Sequence, residues 1–202
     1  MNTRERIIAA ADQLFYEQGF EHTSFAHVAS AVEISRGNFY HHFKTKDDIL
    51  EAVITLRLAK TQEMLELWEA EGSSPAERIQ GFIQILIANR KSIMAHGCPV
   101  GTLCNELAKL DHDAHTEARK IFGLFRDWLA QQFAAGGRKR DATTLALHLL
   151  ARSQGVATLA NAFGDEAFIR AEVRDMCQWA EAQVANSGRA ASPTSSPKAK
   201  KG

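Results

Sequence analysis

The chain of 202 residues has little proline, tyrosine or cysteine: four, two and three residues respectively. So few prolines leave room for long uninterrupted helices, and the plentiful alanine and leucine favour helix over sheet. The cysteines, Cys98, Cys104 and Cys177, are too few and odd in number, which excludes a disulfide framework. No run of about 20 apolar residues occurs, which excludes a membrane-spanning helix. The start, MNTRERIIAAADQLF, carries charge too early for a signal peptide. Neither sign of charge dominates. With 24 basic and 24 acidic side chains the formal net charge is zero, so any basic surface must be local. A Gly-rich phosphate loop, a triad signature and a two-carboxylate motif are all missing, so no catalytic residue is expected. These absences describe a soluble, cytoplasmic protein that is not an enzyme.

What remains is helical. No strand-like alternation persists, and the 45% of hydrophobic residues recur at helical spacing. The expected fold is all-α with nine helices. The first covers 3–18, with Thr3 as cap, Arg6 where a capping-box Glu would sit, and Gly19 as its end. Ser24 caps a second, with Phe25, Val28, Ala29 and Val32 at i, i+3, i+4 and i+7. Ser35 caps a third. Two short helices joined by three or four residues make a helix-turn-helix. The others fall near 46–71, 76–95, 101–109, 113–135, 142–163 and 166–186. Three regions follow: a helix-turn-helix unit at 1–48, a larger helical unit at 49–186, and a disordered tail at 187–202. The tail has four basic residues and no acidic ones.

The stretch ISRGNFYHHFKTKDDIL, residues 34–50, is the most informative. At about 100° per residue, Phe39 and Phe43 share one face and belong to a core. Gly37, Asn38 and His41 lie opposite, with Tyr40 at the flank. A glycine on an outward face lets a partner approach the backbone. No acidic residue occurs from Ile34 to Thr45, although residues 1–48 as a whole hold five Lys plus Arg against seven Asp plus Glu. Basic Arg36, Lys44 and Lys46, with exposed N–H groups at a helix start, suit a DNA backbone, and short polar groups suit base edges. The adjacent His41 and His42 point apart and cannot chelate one metal ion.

The stretch RERIIAAADQLFYEQGFEHTSFAHVASAVEISRGNFYHHFKTKDDIL closely resembles the DNA-binding region of the tetracycline-repressor-like (TetR/AcrR) family of bacterial transcription regulators. The leading helix ending in LF…G, the TS pair, the Ala-containing second helix and SRGNFYHHFKTKDDIL agree in order and spacing. The resemblance covers about a quarter of the chain. It implies that Ser35, Arg36, Gly37 and Asn38 face bases of a double-stranded operator. It implies that Thr23, Ser24, Tyr40, His41 and Lys46 hold phosphates. The chain departs from the family at Glu33, where glycine is usual in the turn. A left-handed backbone there costs a non-glycine residue about 1 kcal/mol.

The resemblance also implies a homodimer formed by the last two helices, and a pocket among the middle ones. Candidates for its lining are Met64, Trp68, Phe82, Leu86, Leu103, Phe122, Phe125 and Trp128. Few charges fall on those faces, so the expected effector is small and apolar or aromatic, or a reactive electrophile. Cys98 has three readings. It is a plain buried residue, or a sensing thiol made reactive by a helix start and aided by His96 with Cys104 nearby, or part of a metal group with Cys104, His96, His112 and His115. The last spacing matches no trusted ligand pattern, and no metal or cofactor is expected. The expected function is a one-component regulator, a repressor released by an effector or by modification of Cys98. The alternatives are a thiol enzyme acting on electrophiles through Cys98, and a helical interaction module without DNA binding.

Overall fold

The computed structural model describes the backbone of residues 1–189. Eleven helical segments follow in order: α1 Thr3–Gln18, α2 Phe25–Val32, α3 Arg36–His42, α4 Lys46–Glu71, α5 Pro75–Ala88, α6 Arg90–His96, α7 Pro99–Lys109, α8 His115–Ala118, α9 Lys120–Ala135, α10 Ala142–Phe163 and α11 Glu166–Arg189. Two pairs abut through a single residue, α5 and α6 at Asn89 and α8 and α9 at Arg119. Taken as continuous rods, these are the nine expected helices. No strand occurs among the described residues, and none of their helices is long and apolar enough to cross a membrane. Helix α11 continues through Arg189, three residues past the expected end. The rest of the expected tail lies outside the described residues.

The helix starts follow from local hydrogen bonding. Ser24, Ser35, Thr45 and Ser74 each accept a backbone N–H from three residues on. The first cap is Asn2 rather than Thr3. Asn2 Oδ1 accepts the Glu5 N–H at 2.9 Å, and Glu5 Oε2 accepts the Asn2 N–H at 2.8 Å. The capping box is therefore complete, one residue earlier than the sequence pattern suggested. At the start of α4, backbone and side-chain donation from Thr45, joined by the Lys44 N–H, holds the Asp48 carboxyl below its ordinary pKa.

Two hydrophobic cores form. The first gathers Ile7, Ala11 and Phe15 of α1 with Val28 and Val32 of α2, and Phe39 and Phe43 around α3. It is closed by Ile49, Leu50, Val53 and Ile54 of α4, and by Leu103, Cys104 and Leu107 of α7. Phe39 is fully buried, and cutting it back to alanine would cost about 3–5 kcal/mol. The second core lies among α5, α9, α10 and α11, where α9 packs along α10 and α11 along α5. Helix α7 thus reaches from the larger bundle into the helix-turn-helix.

Candidate DNA-contacting surface and ligand cavity

Helix α3 is seated by its apolar side. The Phe39 ring meets Phe25 edge to face at 5.1 Å, and Phe43 lies under the Arg4 guanidinium, 5.0 Å from the ring centre. Gly37, Asn38 and His41 are exposed, and Tyr40 is 46% exposed with its ring against Phe25. A Cβ added at Gly37 would meet nothing within 4 Å, so the backbone there lies open. The exposed Ser24 and Ser35 hydroxyls accept the His27 and Asn38 N–H groups and retain their own protons to donate. Helix α3 begins at Arg36, between Ser35 and Gly37.

The turn before α3 has the strained geometry expected at Glu33, with φ 58° and ψ 45°. Glu33 N–H donates to Ser30 O and Ile34 N–H to Ala29 O, the paired bonds of a helix end that favours glycine. Arg6 also donates to Val32 O at 2.8 Å, a bond from α1 that periodicity does not reveal.

Two expected phosphate contacts point elsewhere. Thr23 is buried and its hydroxyl donates to Gly19 O at 2.7 Å. Lys46 turns inward, donating to Phe20 O at 3.1 Å and Glu21 O at 3.3 Å, with its ammonium 4.2 Å from the Phe20 ring centre. Both side chains build the turn between α1 and α2. From the other side, Glu106 of α7 accepts the Phe20 and Glu21 N–H groups, each at 2.9 Å. That short turn is therefore held from α4 and α7 together.

Further up, Arg57 of α4 is buried between α1 and the turn joining α6 to α7. Its Nε donates to Asp12 Oδ1 and its Nη1 to Pro99 O, both at 2.6 Å. Tyr16 donates to Gly97 O at 2.8 Å and meets the His96 ring at 5.4 Å. Burial, with the nearby Cys98 thiol adding, pushes the Tyr16 hydroxyl up to about 12, so it stays a donor at any physiological pH.

Beside this junction lies an apolar chamber of about 180 Å³. Phe82, Leu86, Phe122 and Phe125 line it as expected, and Cys98 also faces it. Four expected members do not. Leu103 is 2% exposed in the first core, because α7 turns that face toward α1. Met64 lines a neighbouring cleft. Trp68 and Trp128 pack on each other at 5.7 Å, and the Trp128 indole donates to Glu69 at 3.2 Å, on another side of α4. Tyr16, Asn89, Ser92, Ser153 and Gln154 line the chamber without having been expected. Ser153 alone carried a visible signal, as a polar residue on the buried face of α10.

The two thiols differ. Cys98 caps α7, its sulfur accepting the Gly101 N–H at 3.5 Å, and is half-buried. Cys104 is buried in the first core, which pushes its thiol up to about 11. His96 meets the Tyr16 ring edge to face and does not line the chamber. Among the described residues, no group of three or more His, Cys, Asp or Glu is arranged to hold a metal ion. On α10, Leu147, Leu159 and Phe163 are 49%, 44% and 76% exposed, with Gly155 open beside them. That stripe lies on one of the two helices expected to pair.

Comparison with known proteins agrees with this architecture. The profile of bacterial regulatory proteins of the tetR family matches residues 7–53. That of the C-terminal domain of LmrA/YxaF-like transcriptional regulators matches residues 75–175, half of the chain. The HTH-type transcriptional regulator LmrA of Bacillus subtilis is 28% identical over 71% of this chain and 80% of its own. The HTH-type transcriptional repressor DhaR of a Mycobacterium species is 25% identical over 75% and 79%. A TetR transcriptional regulator from Legionella pneumophila superposes with a TM-score of 0.79 at 28% identity, covering 89% of this chain and 97% of its own. The chain therefore belongs to the tetR family of bacterial regulatory proteins and is a helix-turn-helix, DNA-binding transcriptional regulator, with a C-terminal domain of the LmrA/YxaF-like type.

Proposed function

We propose that this regulator is a cytoplasmic repressor, a dimer paired through α10 and α11. Its α3 helices enter successive major grooves of a palindromic operator, about 34 Å apart. Arg36, Gly37, Asn38 and Ser35 read bases, and Ser24, Tyr40 and His41 hold phosphates. A small, mainly apolar molecule in the chamber shifts the dimer to a spacing that no longer fits. One observation carries this reading. The chamber is walled by Tyr16 of α1 and by Cys98, Pro99 and Val100; α1 is hydrogen-bonded to the adjoining Gly97 and α4 to Pro99. A ligand there presses on the contacts that hold the helix-turn-helix. Coupling of this kind is worth about 1–3 kcal/mol, or about 5- to 150-fold in affinity.

The test is fluorescence anisotropy with the DNA upstream of the chain's own gene. Tyr40→Ala is expected to weaken binding about fivefold or more while thermal stability holds. Unchanged affinity for that variant, or no binding by the parent at low salt, defeats the docking scheme. A second reading has its own observation, the Cys98 sulfur at the chamber wall and at the start of α7. Alkylation of Cys98 then replaces the ligand as the releasing event. It is sunk if N-ethylmaleimide modifies Cys98 fully and operator affinity does not move.

A further inference from the structure

The apolar chamber is not isolated. A second cleft of about 250 Å³ adjoins it between α1 and α4, and Tyr16, Ile85, Pro99, Val100 and Phe125 line both. Those five side chains border both spaces, and the outer cleft, like the inner one, is lined mainly by apolar surface. The outer cleft is lined by Asp12, Gln13, Arg57 and Lys60. The Asp12 carboxylate balances Arg57, and the Lys60 charge is left over.

Arg57 has more to offer than its ion pair uses. Its residue is 8% exposed, yet it lines the cleft. A guanidinium has five N–H donors. Three are engaged: Nε with Asp12 Oδ1 at 2.6 Å, one on Nη1 with Pro99 O at 2.6 Å, and one on Nη2 with Asp12 O at the long distance of 3.4 Å. The other two have no protein acceptor among the described residues. Lys60 likewise has no hydrogen bond or ion pair among them, and it is exposed at the rim. A buried cation with spare donors, beside an unpaired ammonium, next to an apolar chamber, is a receptor for an anion with a hydrophobic body.

We infer that the effector is an amphipathic anion, with its apolar body in the chamber and a carboxylate-like head at Arg57 and Lys60 in the outer cleft. This rests on the chamber being the effector site, as proposed above. With Asp12 paired to Arg57, the net charge left in the cleft is that of Lys60, which attracts a carboxylate and repels a cationic head. The placement also names a route to the DNA. A head group that draws Arg57 toward itself competes with Asp12 of α1 for the same guanidinium.

The test compares octanoate, 1-octanol and octylammonium, which share one apolar body and differ in head charge. Occupancy is read as protection of Cys98 from N-ethylmaleimide in a Cys177→Ser background, and independently as the thermal shift of the same samples. Octanoate is expected to act at a concentration about fivefold lower than octanol, the scale of a partly exposed ion pair, with octylammonium weakest. Lys60→Glu is expected to erase the advantage of octanoate and leave octanol unchanged. Octanol matching octanoate in the parent, or octanoate keeping its lead in Lys60→Glu, overturns the anionic head while the apolar chamber stands. If none of the three protects Cys98 or shifts the melting temperature, the chamber reading falls with it.

Discussion

The two hydrogen bonds that Glu106 accepts tie α7 directly to the turn between α1 and α2, and Glu106→Gln isolates them. The carboxylate offers an acceptor to each of two backbone N–H groups, Phe20 through Oε2 and Glu21 through Oε1, both at 2.9 Å. An amide of the same shape offers one carbonyl oxygen and one NH₂. One of the two backbone donors must then face another donor. Hydrogen bonds to a charged acceptor are worth about 1.5–3 kcal/mol each, and an unpaired buried donor costs about 1–3 kcal/mol. Phe20 is buried and Glu21 is exposed, so the donor at Phe20 suffers more if left unpaired. The loss expected is about 1–3 kcal/mol in all. For a chain of this size that is a fall of about 3–10 °C in melting temperature.

Amide hydrogen exchange locates the effect. In Glu106→Gln, the Phe20 and Glu21 amides should exchange at least about fivefold faster, while the most protected amides inside α9 and α10, which open only with the whole fold, should quicken by no more than the global loss of about 1–3 kcal/mol. Asn105→Ala is the control, one position away on α7 and exposed. Gly19 sharpens the argument. Its φ is 88°, and a Cβ there would lie 3.0 Å from Glu106 Oε1, so the loop has closed onto the carboxylate. If Glu106→Gln leaves exchange at Phe20 and Glu21 within twofold of the parent and the melting temperature unmoved, the carboxylate does not hold the turn. The route from α7 to the DNA surface would then be lost.

Three further outcomes are expected. Glu33→Gly relieves the left-handed backbone at the turn and should raise stability by about 1 kcal/mol, read by chemical denaturation; an equal loss would mean the glutamate side chain holds the turn. Burial keeps the Cys104 thiol protonated to about pH 11, so at pH 8 only about one molecule in a thousand carries its thiolate. Its alkylation should therefore quicken about tenfold per pH unit up to that point, whereas Cys98 labels first at pH 8; peptide mass mapping distinguishes the two, and early labelling of Cys104 contradicts its burial. Phe163→Glu places a charge in the exposed stripe of α10 and should give monomers by light scattering, with operator binding lost; a dimer that survives it puts the interface elsewhere.

What the sequence showed and what it hid divide along a physical line. Interactions within a helical turn leave a trace in the residue pattern. The seating of Phe39 and Phe43, the openness of Gly37 and the strain at Glu33 were legible for that reason, since each follows from spacing or from one backbone angle. The first cap was misjudged by one residue because Thr3 and Asn2 are both good caps, and only the completed box with Glu5 distinguishes them. Side-chain bonds between distant segments leave no periodic trace. Glu106 is 86 residues from Phe20, Tyr16 is 81 from Gly97, and Arg57 is 45 from Asp12. Bonds of the same long-range kind turn Lys46 inward to Phe20 O and Glu21 O and fix where the chamber lies, whereas Thr23 is turned by the nearer Gly19 O. The same limit explains the tryptophans. Trp68 and Trp128 have the size of pocket residues, but Gly81 of α5 lets Trp68 come within 3.4 Å of its missing Cβ, and Glu69 accepts the Trp128 N–H. Aromatic residues at helical spacing thus announce a buried face without saying which neighbour buries it. That is settled by small residues and polar partners on other helices, and here those partners turned both indoles away from the chamber and left Cys98 and Tyr16 to line it.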